Sequence, residues 1–329
     1  MKNEKIERGV YFLANNRVIE QVVAFLRSFR THNPTIPLCL IPFDSDFDRV
    51  AELKDTYSFN IFDDPELLAA CDSISEKFHG HVLGTYRKLV AWEGAFEAFA
   101  YIDVDTVVID SIDFAFETLG YGQYIGSHSN IESIRRYVWN DRIYDSNLLT
   151  PAQIDYATNT GFFVSLRGLL PMKHVLAKVG AALELKDSME LSCMEQPFLN
   201  YLIVTSGYRY TSLLRLKLTG VVPDAKLEWW GGSTGGNVDG GKLYPPFAGK
   251  IFLVHWAGVW KEIAASGKKL PYHELWSFYR RADIPADIFR SSLFAKKSLI
   301  KSAHRELVVR MSLIRGRINF RKTNKSVFP

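Results

Sequence analysis

Two carboxylates one residue apart, Asp103 and Asp105, interrupt the apolar run Tyr101-Ile102-Asp103-Val104-Asp105-Thr106-Val107-Val108-Ile109. An acid set into such a run needs a partner, and a cation is the simplest one. The approach from Phe96 to Ile102 reads as a core strand of a parallel sheet, and ligands gather at the carboxyl ends of strands in sheets of that kind. With a strand period of two, Asp103 and Asp105 project to one side and can share a hard cation. Mg²⁺ and Mn²⁺ both accept carboxylate oxygens together with the phosphate oxygens of a substrate. The bare pattern fits a metal-diphosphate site and a strand end with solvated acids alike, because Asp44-Ser45-Asp46 and Asp46-Phe47-Asp48 repeat it in a polar, turn-like setting.

A second group able to do chemistry follows another apolar run. Ile251-Phe252-Leu253-Val254 ends in His255-Trp256-Ala257-Gly258-Val259-Trp260-Lys261. Taken alone, His255 reads as a core residue. Taken with the aspartates, it completes an oxygen, oxygen, nitrogen ligand set, while Gly258 permits close backbone approach and Lys261 brings charge to a phosphate.

The elements that must position these groups are legible in outline. Gly9 to Ala14 reads as a first strand, Arg17 to Arg30 as a helix with Val18, Val22, Phe25 and Leu26 on one face, and Ile36 to Phe43 as a second strand. A short strand at Phe59 to Phe62 precedes a helix starting at Asp63-Asp64-Pro65. A further helix is expected from Tyr86 to Phe96, directly before the carboxylate strand. Tyr124 to Gly126 and Gly161 to Ser165 read as strands, and residues 128 to 155 as a lid or acceptor loop. The segment Gly231 to Gly241 holds six glycines ahead of a strand at Lys250 to Val254; it lacks the order of a phosphate-binding P-loop and reads as a flexible flap.

Length and composition frame this reading. A chain of 329 residues, 47% hydrophobic and 23% charged, suits one large α/β domain with an appendage. Cys39, Cys71 and Cys193 show neither paired nor zinc-ligand spacing, which fits a reducing compartment. The charged start and the lack of an 18-residue apolar run point to a cytoplasmic protein without signal peptide or transmembrane helix. The domain expectation is a catalytic body over 1–291 and a basic amphipathic tail over 292–329, where ten Lys or Arg face a single acid, Glu306. Such a tail suits the anionic inner face of a membrane, or a helix packed on the domain with its bases in water; no nucleic-acid motif accompanies the charge.

In order along the chain, five motifs resemble the retaining glycosyltransferases of family 8, the group that includes glycogenin and bacterial lipopolysaccharide glycosyltransferases. They are Phe12-Leu13-Ala14-Asn15-Asn16, Tyr86-Arg87-Lys88-Leu89, Asp103-Val104-Asp105, Asn159-Thr160-Gly161 and His255 to Lys261. The resemblance runs from about residue 9 to 262 and implies a GT-A fold, Rossmann-like, with a mostly parallel central sheet flanked by helices and, here, a basic C-terminal helical extension. It further implies a nucleoside diphosphate sugar donor, usually UDP-linked, a glycan or glycolipid acceptor, and Mn²⁺, or Mg²⁺ in its place, held by Asp103, Asp105 and His255. Lys88, Gly258 and Lys261 would then contact the diphosphate, Asn15 with Asn16 the base or ribose, and Asn159 the donor sugar. Where the family commonly shows Asp-Gln before a helix, this chain has Glu195-Gln196. Gln196 is expected near the anomeric carbon, and Glu195 is either a catalytic carboxylate or an acid favoured at a helix start.

Two other readings share this sheet. A sugar-1-phosphate nucleotidyltransferase would carry a glycine-rich loop with Arg after its first strand, where this chain has Ala14-Asn15-Asn16-Arg17. A catalytically silent sugar- or nucleotide-binding protein could keep the fold without the reaction. Trp139, Trp229 and Trp230 suit stacking on a saccharide ring and ordinary packing equally.

Overall fold

The computed structural model describes residues 6–246 and 249–280. Its strands are β1 (Ile6–Ala14), β2 (Leu38–Pro42), β3 (Phe59–Ile61), β4 (Phe96–Ile102), β5 (Thr106–Val108), β6 (Tyr124–Gly126), β7 (Phe162–Leu166), β8 (Tyr210–Ser212), β9 (Leu227–Trp230), β10 (Asn237–Asp239), β11 (Lys242–Tyr244) and β12 (Ile251–His255). Seven of them form a sheet in the order β3-β2-β1-β4-β7-β6-β8. The pairs β1/β2, β1/β4, β2/β3 and β6/β8 are parallel, and only β7 runs antiparallel to its neighbours. This is the mostly parallel α/β architecture expected from the sequence.

Because β1, β2 and β4 run the same way, their carboxyl ends share one edge. A smaller sheet, β5-β12-β9, continues from that edge. The chain leaves β4 at Ile102, turns through Asp103 to Asp105 and enters β5, which pairs antiparallel with β12. The aspartates thus lie in the turn joining two sheets rather than on one continuous strand. Thr106 Oγ1 donating to the Asp103 carbonyl (2.8 Å), Asp103 N donating to the Gly161 carbonyl (2.8 Å) and Trp256 N donating to the Asp105 carbonyl (3.0 Å) fix the turn.

The first helix spans Ile19–His32, and the next long one, Pro65–His79, starts as the sequence indicates, with Asp64 capping Leu67 N (3.0 Å). The helix expected at Tyr86 to Phe96 is instead a 3₁₀ segment, Gly84–Trp92, followed by β4 from Phe96. Tyr86, Lys88, Leu89, Val90, Ala91 and Trp92 are all buried, so this segment has no solvated face to give it helical amphipathicity. Phe96 is drawn into the sheet by pairing with Ile6.

The main core gathers Trp92, Phe99, Tyr101, Tyr124 and Phe163 with the helices Met172–Glu184 and Gln196–Val204. A second core under the smaller sheet joins Trp229, Val254 and Trp256 to Leu275, Trp276 and Tyr279 of the helix His273–Arg280. No helix among the described residues is long and apolar enough to cross a membrane.

The glycine-rich segment is an antiparallel hairpin, β10 with β11, joined at Gly240 and Gly241. Two of its glycines answer to tryptophans: a Cβ on Gly231 would lie 2.5 Å from the Trp256 ring, and one on Gly232 the same distance from Trp230. The basic tail at 292–329 and its proposed helix lie outside the described residues.

Candidate active site

The carboxyl edge brings Asp103, Asp105 and His255 together, with one ligand atom of each within 4.8 Å of the others. His255 Nε2 stands 3.1 Å from Asp105 Oδ1 and 4.0 Å from Asp103 Oδ2. Asp103 is oriented by Tyr101, whose hydroxyl donates to Oδ1 at 2.7 Å. Two carboxylates and an imidazole converging from separate sheets fit a divalent cation of the Mg²⁺ or Mn²⁺ class.

The opposite ring nitrogen of His255 meets a residue that the sequence reading missed. Glu228 on β9 accepts from Nδ1 at 2.6 Å, and Asn159 Nδ2 donates to the same Glu228 oxygen at 3.2 Å. Both members of the pair are buried, His255 at 2% exposure and Glu228 at 7%. Burial works against a charged imidazole, yet Asp105 and Glu228 outweigh it and hold His255 well above the usual histidine range. Burial likewise raises Glu228, and the opposing charge of His255 more than reverses this, so Glu228 stays ionised to lower pH than an ordinary glutamate. Its signal in the sequence is the one that marks Asp103: an acid inside an otherwise apolar run, here Leu227-Glu228-Trp229-Trp230.

A second cluster adjoins Asp103. Lys88, 2% exposed, places Nζ 2.5 Å from Glu195 Oε1, 3.2 Å from the Thr160 carbonyl and 3.7 Å from Asp103 Oδ1, above the Tyr101 ring. Burial disfavours the ammonium, but Asp103 and Glu195 outweigh that cost and keep Lys88 above its ordinary range. Thr160 Oγ1 also donates to Glu195 (3.1 Å), so the Glu195 carboxylate is taken up by two internal donors. Gln196 accepts from Thr160 N (3.3 Å) and donates to the Tyr137 carbonyl (3.0 Å). Asn159 Oδ1 accepts from Gly161 N at 2.8 Å. Gly161 has a direct reason to be glycine: a Cβ there would stand 2.2 Å from His255 Cε1 and 2.9 Å from Asp103 Oδ2.

Gly258 follows β12 with φ +75° and precedes the helix Val259–Ser266, whose start has no side-chain cap. Lys261 stands exposed in its first turn. Val259 N and Lys261 N donate to the Trp256 and Gly258 carbonyls (3.0 and 3.2 Å), and the positive end of the helix dipole there attracts anions.

Asn15 and Asn16, at the end of β1, join a different set. Asn15 Nδ2 donates to Asp44 (2.7 Å), and Asn16 Nδ2 donates to Asp46 (2.5 Å) and to Asp48. Asn16 Oδ1 accepts from Arg49 N (3.1 Å) and Val50 N (3.3 Å). The two triplets that resemble Asp103-Val104-Asp105 are therefore clamps on the first turn, with Arg17 also paired to Asp44. This set lies on the same carboxyl edge as the aspartate-histidine group. Of the three tryptophans, Trp139 and Trp229 are buried, whereas Trp230 is half-exposed at the end of β9, with Nε1 donating to the Ala257 carbonyl (3.2 Å).

No family model and no curated protein matches this sequence. Solved structures do resemble its fold. The galactosyltransferase LgtC, crystallised with donor and acceptor sugar analogues, covers 86% of this chain and 99% of its own length, with a TM-score of 0.56 and 12% identity. The apo bifunctional glycosyltransferase WbbM covers 88% of this chain with a TM-score of 0.50 and 13% identity, and the chain spans 52% of its length. The chain shares with these glycosyltransferases the GT-A fold, a mostly parallel central sheet flanked by helices.

Proposed function

We propose that this protein is a metal-dependent glycosyltransferase, hexosyltransferase in type, that moves a sugar with retention from a nucleoside diphosphate donor, UDP-linked, to a hydroxyl of a saccharide or lipid-linked acceptor. The observation that carries the reading is the convergence of Asp103, Asp105 and His255 on the carboxyl edge of a GT-A sheet. A divalent cation held by these three supplies stabilisation of the negative charge that grows on the departing diphosphate.

The chain's own residues divide the remaining work. Lys261 and the amides after Gly258 hold the diphosphate, and the first turn at Asn15 and Asn16 faces the base and ribose. Asn159 and Gln196 orient the donor sugar. Glu195, already engaged by Lys88 and Thr160, acts as the counter-ion that anchors Lys88 beside Asp103, so the acceptor hydroxyl attacks without a covalent Glu195 adduct. The basic segment 292–329 brings the enzyme to an anionic membrane surface on the cytoplasmic side.

Calorimetry with UDP, with and without Mn²⁺, tests the core of the reading. Mn²⁺-dependent UDP binding and slow hydrolysis of a UDP-sugar are expected, both lost in Asp105→Ala. UDP binding that is indifferent to metal, or unchanged in that variant, would sink it.

A further inference from the structure

We propose that Glu228 is a positioning residue for the metal site, holding the His255 ring in the one orientation and tautomer that can bind a cation. The role rests on the metal-dependent reading above. The His255 imidazole lies between two carboxylates, Glu228 Oε1 at 2.6 Å from Nδ1 and Asp105 Oδ1 at 3.1 Å from Nε2. A carboxylate only accepts, so the short bond to Glu228 keeps the proton on Nδ1. Nε2 faces the space between Asp103 and Asp105, so a cation that displaces the Nε2 proton meets a lone pair already aimed at it.

The ladder makes this arrangement specific. β9 and β12 are parallel, with Glu228 opposite Leu253 and Trp230 opposite His255, so Glu228 and His255 stand one alternation apart on the same face. Gly231 N donates to the His255 carbonyl at 2.6 Å and locks the ends of the two strands together. Asn159 Nδ2 meets the same Glu228 oxygen at 3.2 Å, while Asn159 Oδ1 receives Gly161 N. Glu228 therefore ties the metal ligand to the loop that the proposed function assigns to the donor sugar. A displaced Glu228 would free both the imidazole and Asn159.

The test is Mn²⁺ affinity, read from the electron paramagnetic resonance of free Mn²⁺ with UDP at saturation, in wild type, Glu228→Gln and Glu228→Leu. The glutamine keeps an acceptor oxygen without the charge; the leucine keeps neither. Affinity should fall by about ten- to a hundredfold in Glu228→Leu and by less in Glu228→Gln. The ¹⁵N resonances of the His255 ring in protein loaded with Mg²⁺ and UDP should move away from the Nδ1-protonated, Nε2-ligated pattern in both variants. Glu228→Gln, close to isosteric, keeps the test meaningful if the leucine fails to fold. Wild-type protein that binds no Mn²⁺ would overturn the metal reading and this role with it. Wild-type binding with both variants unchanged, or a lower melting midpoint at unaltered Mn²⁺ affinity, would leave Glu228 a structural counter-ion and overturn the role alone.

Discussion

Lys88 is buried beside Asp103, and an ammonium in that position is tolerated only because Glu195 and the Thr160 carbonyl complete its contacts. The length of the Glu195 side chain has a physical meaning here: it reaches Lys88 at 2.5 Å. Breaking a buried pair from one side leaves an uncompensated charge, whereas replacing both sides with apolar groups removes the problem. Glu195→Ala and Lys88→Met are each expected to cost about 3–5 kcal/mol in urea unfolding, and the double variant clearly less than their sum. Strictly additive losses would show that the two groups do not act as a pair.

Two glycines stand in contrasting settings, and substitution should separate them. Gly161 opens the way into β7 and has His255 and Asp103 pressed against its α-carbon. Gly161→Ala forces those side chains to move, with an overpacking cost of about 1–3 kcal/mol and the expected Mn²⁺-dependent UDP binding weakened at least about tenfold. Gly180, inside the helix Met172–Glu184, has nothing within 4 Å of an added Cβ. Gly180→Ala should therefore raise stability by about 1 kcal/mol, through helix propensity alone, and leave binding untouched. Thermal unfolding and calorimetry on both variants check the contrast; equal behaviour would refute it.

At the scale of the whole molecule the charge is lopsided. Residues 292–329 hold ten bases against one acid, while the chain as a whole carries a net charge of only +4, so the body before the tail is net acidic. An acidic body is repelled by an anionic surface and a basic segment is attracted to it, so the proposed membrane association rests on the segment. Removing residues 292–329 is expected to abolish co-sedimentation with anionic liposomes and to preserve hydrolysis of a UDP-sugar in solution. Liposome binding that survives the truncation would move the contact to the body.

The sequence by itself determined the α/β class, the order of the principal strands, and three metal-ligand candidates, Asp103, Asp105 and His255, which the fold brings together. Each of these was visible because it is local: an apolar run has a period, and an acid or histidine at its end breaks it. The 3₁₀ course of Gly84–Trp92 was not visible, because it follows from enclosure on all sides by other elements. The duties of Asn16 and of the Asp44 to Asp48 loop were hidden for a similar reason, since their bonds span some thirty residues. Glu228 and the Lys88–Glu195 pair were decided by tertiary structure alone. Their partners lie 27 residues away in the first case, across a β9–β12 register that no spacing rule encodes. A carboxylate shows that it needs a partner; only the packed sheets decide which atom it finds.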